Sequence, residues 1–128
     1  MKKMLMLFAI TVMLPASAEW VKIAEAKRGN IFYVDPSTVS IADSRRVVLE
    51  LIDYRRPDRD GDKSVRINRE YDCQGARYQV QSATYHRGSM GTGEVSLTTV
   101  GTMGWTDIDP GTPARATLRP TSSASCAV

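Results

Sequence analysis

Few side chains in this sequence could do chemistry on their own. His86 is its single histidine, and Cys73 and Cys126 are its two cysteines. A zinc centre needs three or four ligands of those types, so none is assigned. Serines and aspartates are plentiful, but no G-x-S-x-G nucleophile turn is present. A lone histidine near a strand end reads more simply as a solvated side chain. Asp58, Asp60 and Asp62 alternate as in a calcium loop. However, Gly61 stands at the fourth loop position instead of the sixth, and Arg69 takes the twelfth, where a bidentate glutamate is required. That excludes an EF-hand and leaves only an incidental calcium site. Gly88, Gly91 and Gly93 have the look of a phosphate cradle, which needs a strand before it and a helix after it. Strand-like residues follow, so these glycines read as a hairpin loop. No catalytic residue, metal or cofactor is assigned, and the chain reads as a non-enzyme.

The densest charge lies in Arg55-Arg56-Pro57-Asp58-Arg59-Asp60-Gly61-Asp62-Lys63. With Arg66 and Arg69 it gathers six basic groups against three aspartates. One reading is a cationic ridge for an acidic partner. The other is a solubilising hairpin tip whose arginines pair with Asp58, Asp60 and Asp62, each exposed pair contributing under about 1 kcal/mol. Arg55, Arg56, Arg59, Lys63 and Arg66, with Tyr54 and Tyr85 as aromatic anchors, form the candidate partner-binding set. Nucleic acid is not expected, because aromatic residues do not interleave this loop and the charge after leader removal is close to neutral.

That charge depends on the first eighteen residues. Lys2 and Lys3 precede an apolar run from Met4 to Leu14, and Pro15-Ala16-Ser17-Ala18 ends in a small-residue cleavage pattern. The apolar stretch is shorter than the roughly twenty residues that span a bilayer. Residues 1–18 therefore read as a signal peptide, the competing reading being a buried N-terminal helix. Its removal takes Lys2 and Lys3 from the 17 basic residues, leaving 15 against 14 acids in 19–128. Glu19-Trp20 follows Ala18, so no lipobox cysteine is available for a lipid anchor, and no second run approaches spanning length. The expected location is the periplasm, or outside the cell as a secreted or surface-displayed protein.

Two cysteines in an exported domain most simply make one disulfide, with a pair of free thiols as the alternative. Cys73–Cys126 would close a loop worth roughly 4 kcal/mol in chain entropy.

The elements that hold these groups read as short strands. Trp20 to Glu25, Ile31 to Asp35, Arg46 to Tyr54, Lys63 to Cys73, Arg77 to Tyr85 and Glu94 to Val100 carry strand patterns, separated by turn residues. Val65, Ile67, Tyr71 and Cys73 share one face, while Ser64, Arg66, Asn68, Glu70 and Asp72 share the other. Arg69 interrupts the apolar face and needs a partner or an edge. Arg46 to Tyr54 is apolar on both faces, as a central strand would be. Asp35-Pro36-Ser37-Thr38 reads as the start of a reversal. Tyr71, Tyr78 and Trp20 are expected in the core. Connections this short exclude crossover helices, so the sheet is expected to be antiparallel. Thr112-Pro113 resembles an N-cap followed by first-turn proline, predicting a short helix over Ala114 to Leu118 before Pro120. Residues 19–128 suit one mainly β domain.

Arg69-Glu70-Tyr71-Asp72-Cys73, then Arg77-Tyr78, Tyr85 and Met90-Gly91-Thr92-Gly93, resemble the core of the surface-adhesin protein E family. Trp20, Tyr33-Val34-Asp35, Asp53-Tyr54, Trp105 and Ile108-Asp109-Pro110-Gly111-Thr112 keep the same order around it. The resemblance implies a half-barrel-like antiparallel sheet of about six strands with a C-terminal helix tied on by a disulfide, Cys73 and Cys126 occupying those positions. It also implies non-catalytic binding of host extracellular-matrix or serum proteins such as vitronectin and laminin. The alternative is a periplasmic structural subunit pairing through a sheet edge, for example as a homodimer.

Overall fold

Period-two alternation broken by short polar turns dictates a chain of hairpins. The structure, a computed structural model, describes residues 19–102 and 104–108. Its strands are β1 (Val21–Glu25), β2 (Ile31–Ala42), β3 (Arg45–Asp53), β4 (Ser64–Asp72), β5 (Arg77–His86), β6 (Val95–Val100) and β7 (Thr106–Asp107). The first six pair in chain order, each antiparallel to the next. On the outer side of β5, β6 pairs with Ser82–His86 and β7 with Arg77 and Tyr78. The expected antiparallel sheet of six strands is present, and β7 is an addition that two residues are too few to signal. Among the described residues the one helical element is a 3-10 turn at Ser89–Gly91. The short helix expected over Ala114 to Leu118 and Cys126 lie outside the described residues.

The reversal expected at Asp35-Pro36-Ser37-Thr38 is instead a bulge inside β2. Register shifts between Asp35 and Ser40, and the chain turns only after Ala42. Proline has no N–H for a ladder, so it is tolerated where pairing lapses. Side chains fill the lapse: Asp35 Oδ1 accepts the Ser37 amide at 3.0 Å, and Thr38 Oγ1 accepts the Leu49 amide at 2.9 Å.

The register assigns the two faces. Arg46, Val48, Glu50 and Ile52 of β3 oppose Tyr71, Arg69, Ile67 and Val65 of β4, and this face holds the core. One cluster joins Val34, Val48, Tyr71 and Ile108, and the other joins Val65, Ile67 and Ala83. Arg69 stands in the same row and finds its partner across the strand pair. Its guanidinium donates to Glu50 Oε1 at 3.1 Å and stacks 4.7 Å from the Tyr78 ring centroid, while the Tyr71 hydroxyl donates to Glu50 Oε2. Burial pushes the Glu50 carboxyl above its ordinary value against the pull of Arg69 and Tyr71.

The opposite face is mostly polar around the fully buried Leu51. Glu70 accepts from Arg45 at 3.1 Å and Gln81 at 2.9 Å, and Asp72 accepts from Arg77 at 2.9 Å. Trp105 lies under both arginines, 5.1 Å from Arg45 and 4.4 Å from Arg77. Tyr71 and Tyr78 take their expected core places. Trp20 does not: it is half-buried, with the Arg66 guanidinium 5.6 Å from its ring, because Arg66 projects from the polar face.

A basic loop end as the candidate binding surface

In an antiparallel meander alternate connections fall at the same end of the sheet. The β1–β2, β3–β4 and β5–β6 loops therefore gather together. They carry Lys27 and Arg28; Arg55, Arg56, Arg59 and Lys63; and Arg87. Arg28, Asn30, Arg55 and Arg56 line one cavity of about 380 Å³ between the first two loops.

Local bonds fix that groove. Asn30 Oδ1 accepts the Arg55 amide at 3.1 Å, tying the loops together. Gly29, with φ of +92°, passes so close that a Cβ there would stand 2.5 Å from Arg55 Cδ. Only glycine combines that conformation with that approach.

Within the 54–63 loop the aspartates organise the turn and neighbouring groups. Asp58 Oδ1 accepts the amides of Asp60 and Asp62, each at 2.9 Å. Asp62 is buried, accepting Ser96 Oγ at 2.6 Å and lying 3.5 Å from Arg87 Nη1; Arg87 also donates to the Asp60 carbonyl. The expected pairing of Arg55, Arg56 and Arg59 with these acids does not form among the described residues; the acid that does pair, Asp62, takes Arg87. Arg55, Arg56, Arg59 and Lys63 are exposed and make no side-chain ion pair among the described residues.

The remaining candidates sit elsewhere. Tyr54 and Tyr85 are half-buried against the Val65–Ile67–Ala83 cluster at the base of the loop. Burial first, then Tyr85, Asp58 and Asp62, push the Tyr54 phenol up to about 12, so it is a neutral hydroxyl at physiological pH. Arg66 lies on the polar face beneath the 87–94 loop, its stem 3.1 Å from where a Gly91 side chain would begin. That loop is bound down by Asp53, which accepts the Met90 amide at 2.8 Å, and by Ser64, which accepts the Gly91 amide at 2.8 Å. Arg28 and Arg87 belong to the basic end but not to the sequence-derived set. Counting hairpins along the chain is the signal that would have found them.

The molecule is an antiparallel meander whose 54–63 loop presents basic side chains without an ion pair among the described residues. The chain belongs to the surface-adhesin protein E family, whose pattern matches residues 20–120, and is by that membership a non-catalytic binding protein. Its fold is similar to protein E of Haemophilus influenzae. One structure of that protein superposes with a TM-score of 0.61 at 10% identity, covering 88% of this chain and 90% of that one. Its crystal form II gives 0.58 at 14% identity, covering 91% and 98%. The selenomethionine form gives 0.56 at 14% identity, covering 80% and 85%. Curated proteins offer no sequence match.

Proposed function

We propose that this chain is an exported adhesin-type domain that engages an acidic region of a host extracellular-matrix or serum protein through its basic loop end. One observation carries the reading: the Asp58 carboxylate is committed to loop amides and the Asp62 carboxylate to Ser96 and Arg87, while Arg55, Arg56, Arg59 and Lys63 stay exposed and without a side-chain ion pair among the described residues. Such a patch steers an acidic partner and loses strength as salt shortens the screening length from about 8 Å at physiological strength to about 3 Å at 1 M. Export by residues 1–18 and the half-barrel curvature and C-terminal helix of the family belong to the same proposal. So does a Cys73–Cys126 disulfide. Cys73 follows β4 directly, its amide donates to the Ser44 carbonyl at 2.9 Å, and no cysteine is free among the described residues.

Charge reversal tests the patch. The triple variant Arg55→Glu, Arg56→Glu, Arg59→Glu should weaken binding to immobilised vitronectin or laminin about tenfold or more, at roughly 0.5–1 kcal/mol per charge, with an unchanged circular dichroism spectrum. Unaltered binding by the folded variant would remove the loop end as the site.

A second reading rests on β6. Among the described residues it pairs on one side only, and Val95, Leu97 and Val100 are 49%, 55% and 85% exposed. An open apolar edge can receive another strand, giving a homodimer or a seat on an envelope complex. Sedimentation should then show a dimer that Leu97→Lys dissociates; a strict monomer at high concentration, with no envelope partner recovered, would leave this edge without a role.

A further inference from the structure

A second cavity, of about 390 Å³, opens on the polar face of the sheet, away from the apolar core. Arg66, Asn68, Ser82, Thr84 and His86 supply its polar lining, and Leu49 and Val95 its apolar walls. His86 is 7% exposed, yet neither ring nitrogen has a hydrogen-bond partner among the described residues, and Arg66 Nε is likewise buried without one. An imidazole always carries at least one N–H, and a guanidinium carries five. Buried donors of this kind are ordinarily satisfied.

The acids of the same face are committed elsewhere. Glu70 takes Arg45, Gln79 and Gln81, and Asp72 takes Arg77 and its own turn amides. Among the described residues no carboxylate lines the cavity. Asn68 reaches Ser82 Oγ as a donor at 3.0 Å, which leaves the serine hydroxyl proton free to point inward. Stacking on Trp20 and the close approach of the Gly91 backbone hold the Arg66 stem in place. A fork-shaped cation, an imidazole, two hydroxyls and the Asn68 amide converge on a space whose other lining residues, Leu49 and Val95, are aliphatic.

We infer that this cavity binds a small monocarboxylate with a short apolar chain, its oxygens accepting from Arg66 and His86 and its chain lying against Leu49 and Val95. Guanidinium matches a carboxylate with two parallel donors, and a single cation suits a monoanion. The site is separate from the basic loop end, so either assignment can fail without the other.

Titration of the isotope-labelled chain by ¹H–¹⁵N correlation spectroscopy tests it, with butyrate as probe and with butyramide and sodium chloride at matched ionic strength as controls. Butyrate should give saturable shifts confined to residues around Thr84, His86 and Val95, while butyramide and chloride should give none that saturate. His86→Leu should weaken butyrate about tenfold and Thr84→Val about threefold, the losses expected for one charge-neighbouring and one neutral hydrogen bond. Should His86→Leu fail to fold, Thr84→Val and Arg66→Lys decide the matter. Shifts that rise linearly, that chloride reproduces, or that survive the folded variants unchanged would overturn the site.

Discussion

Arg69 shows how one polar residue can sit in an apolar row. Its strand neighbours on that face are Ile67 and Tyr71, and its charge is met by Glu50 at 3.1 Å, with Tyr78 stacked on the guanidinium. Breaking a buried pair from one side leaves an uncompensated charge and costs about 3–5 kcal/mol, whereas replacing both partners by apolar groups is often near neutral. Glu50→Gln should therefore lower the urea midpoint far more than Glu50→Met combined with Arg69→Met. Equal losses in the two variants would mean the pair does not act as a unit. Tyr54 gives a pH signature. Its phenol is raised from 10.0 to about 12, so the folded chain holds a proton that the unfolded chain gives up first. Its stabilising contribution is complete below pH 10 and is lost as pH climbs towards 12. Tyr54→Phe should flatten the alkaline fall in stability across that window; an identical fall in the variant would place the cause elsewhere.

At the scale of elements, strands that alternate cleanly were legible from residue types. The alternation in β4 sorts its two faces as the register does, and the apolar groups on both faces of β3 mark it as central. The bulge in β2 was not legible. Asp35-Pro36-Ser37-Thr38 has turn chemistry, and only the pairing partner reveals that Thr38 Oγ1 takes over a ladder position by accepting the Leu49 amide. Trp20 misled for a related reason: large aromatic rings belong in cores by area, but a cation stacked on the ring makes the polar face an equally good home. The proposed disulfide between Cys73 and Cys126 yields a prediction. With Cys73–Cys126 closed, alkylation under non-reducing conditions should label no thiol, and reduction should cost roughly 4 kcal/mol of stability. Two labelled thiols in the unreduced protein would dismantle that tie.

For the molecule as a whole, connectivity turns scattered basic residues into one surface. The sequence pointed to Arg55–Lys63 by charge density alone. It could not show whether the loop arginines find ion-pair partners, because that depends on which amides and hydroxyls claim Asp58 and Asp62 once the loop closes. Nor did it bring Arg28 to the groove, since the β1–β2 and β3–β4 loops are adjacent only through pairing of β2 with β3. The family match carries the binding role, and the proposal places that role at the loop end. Hydrogen–deuterium exchange of the chain with and without a bound matrix protein tests that location most directly. The 26–30 and 54–63 loops should gain protection on binding, while the turns at 43–44 and 73–76, at the opposite end of the sheet, stay unchanged. Protection confined to β6 or to those opposite turns, with the basic loops exchanging as in the free chain, would contradict it.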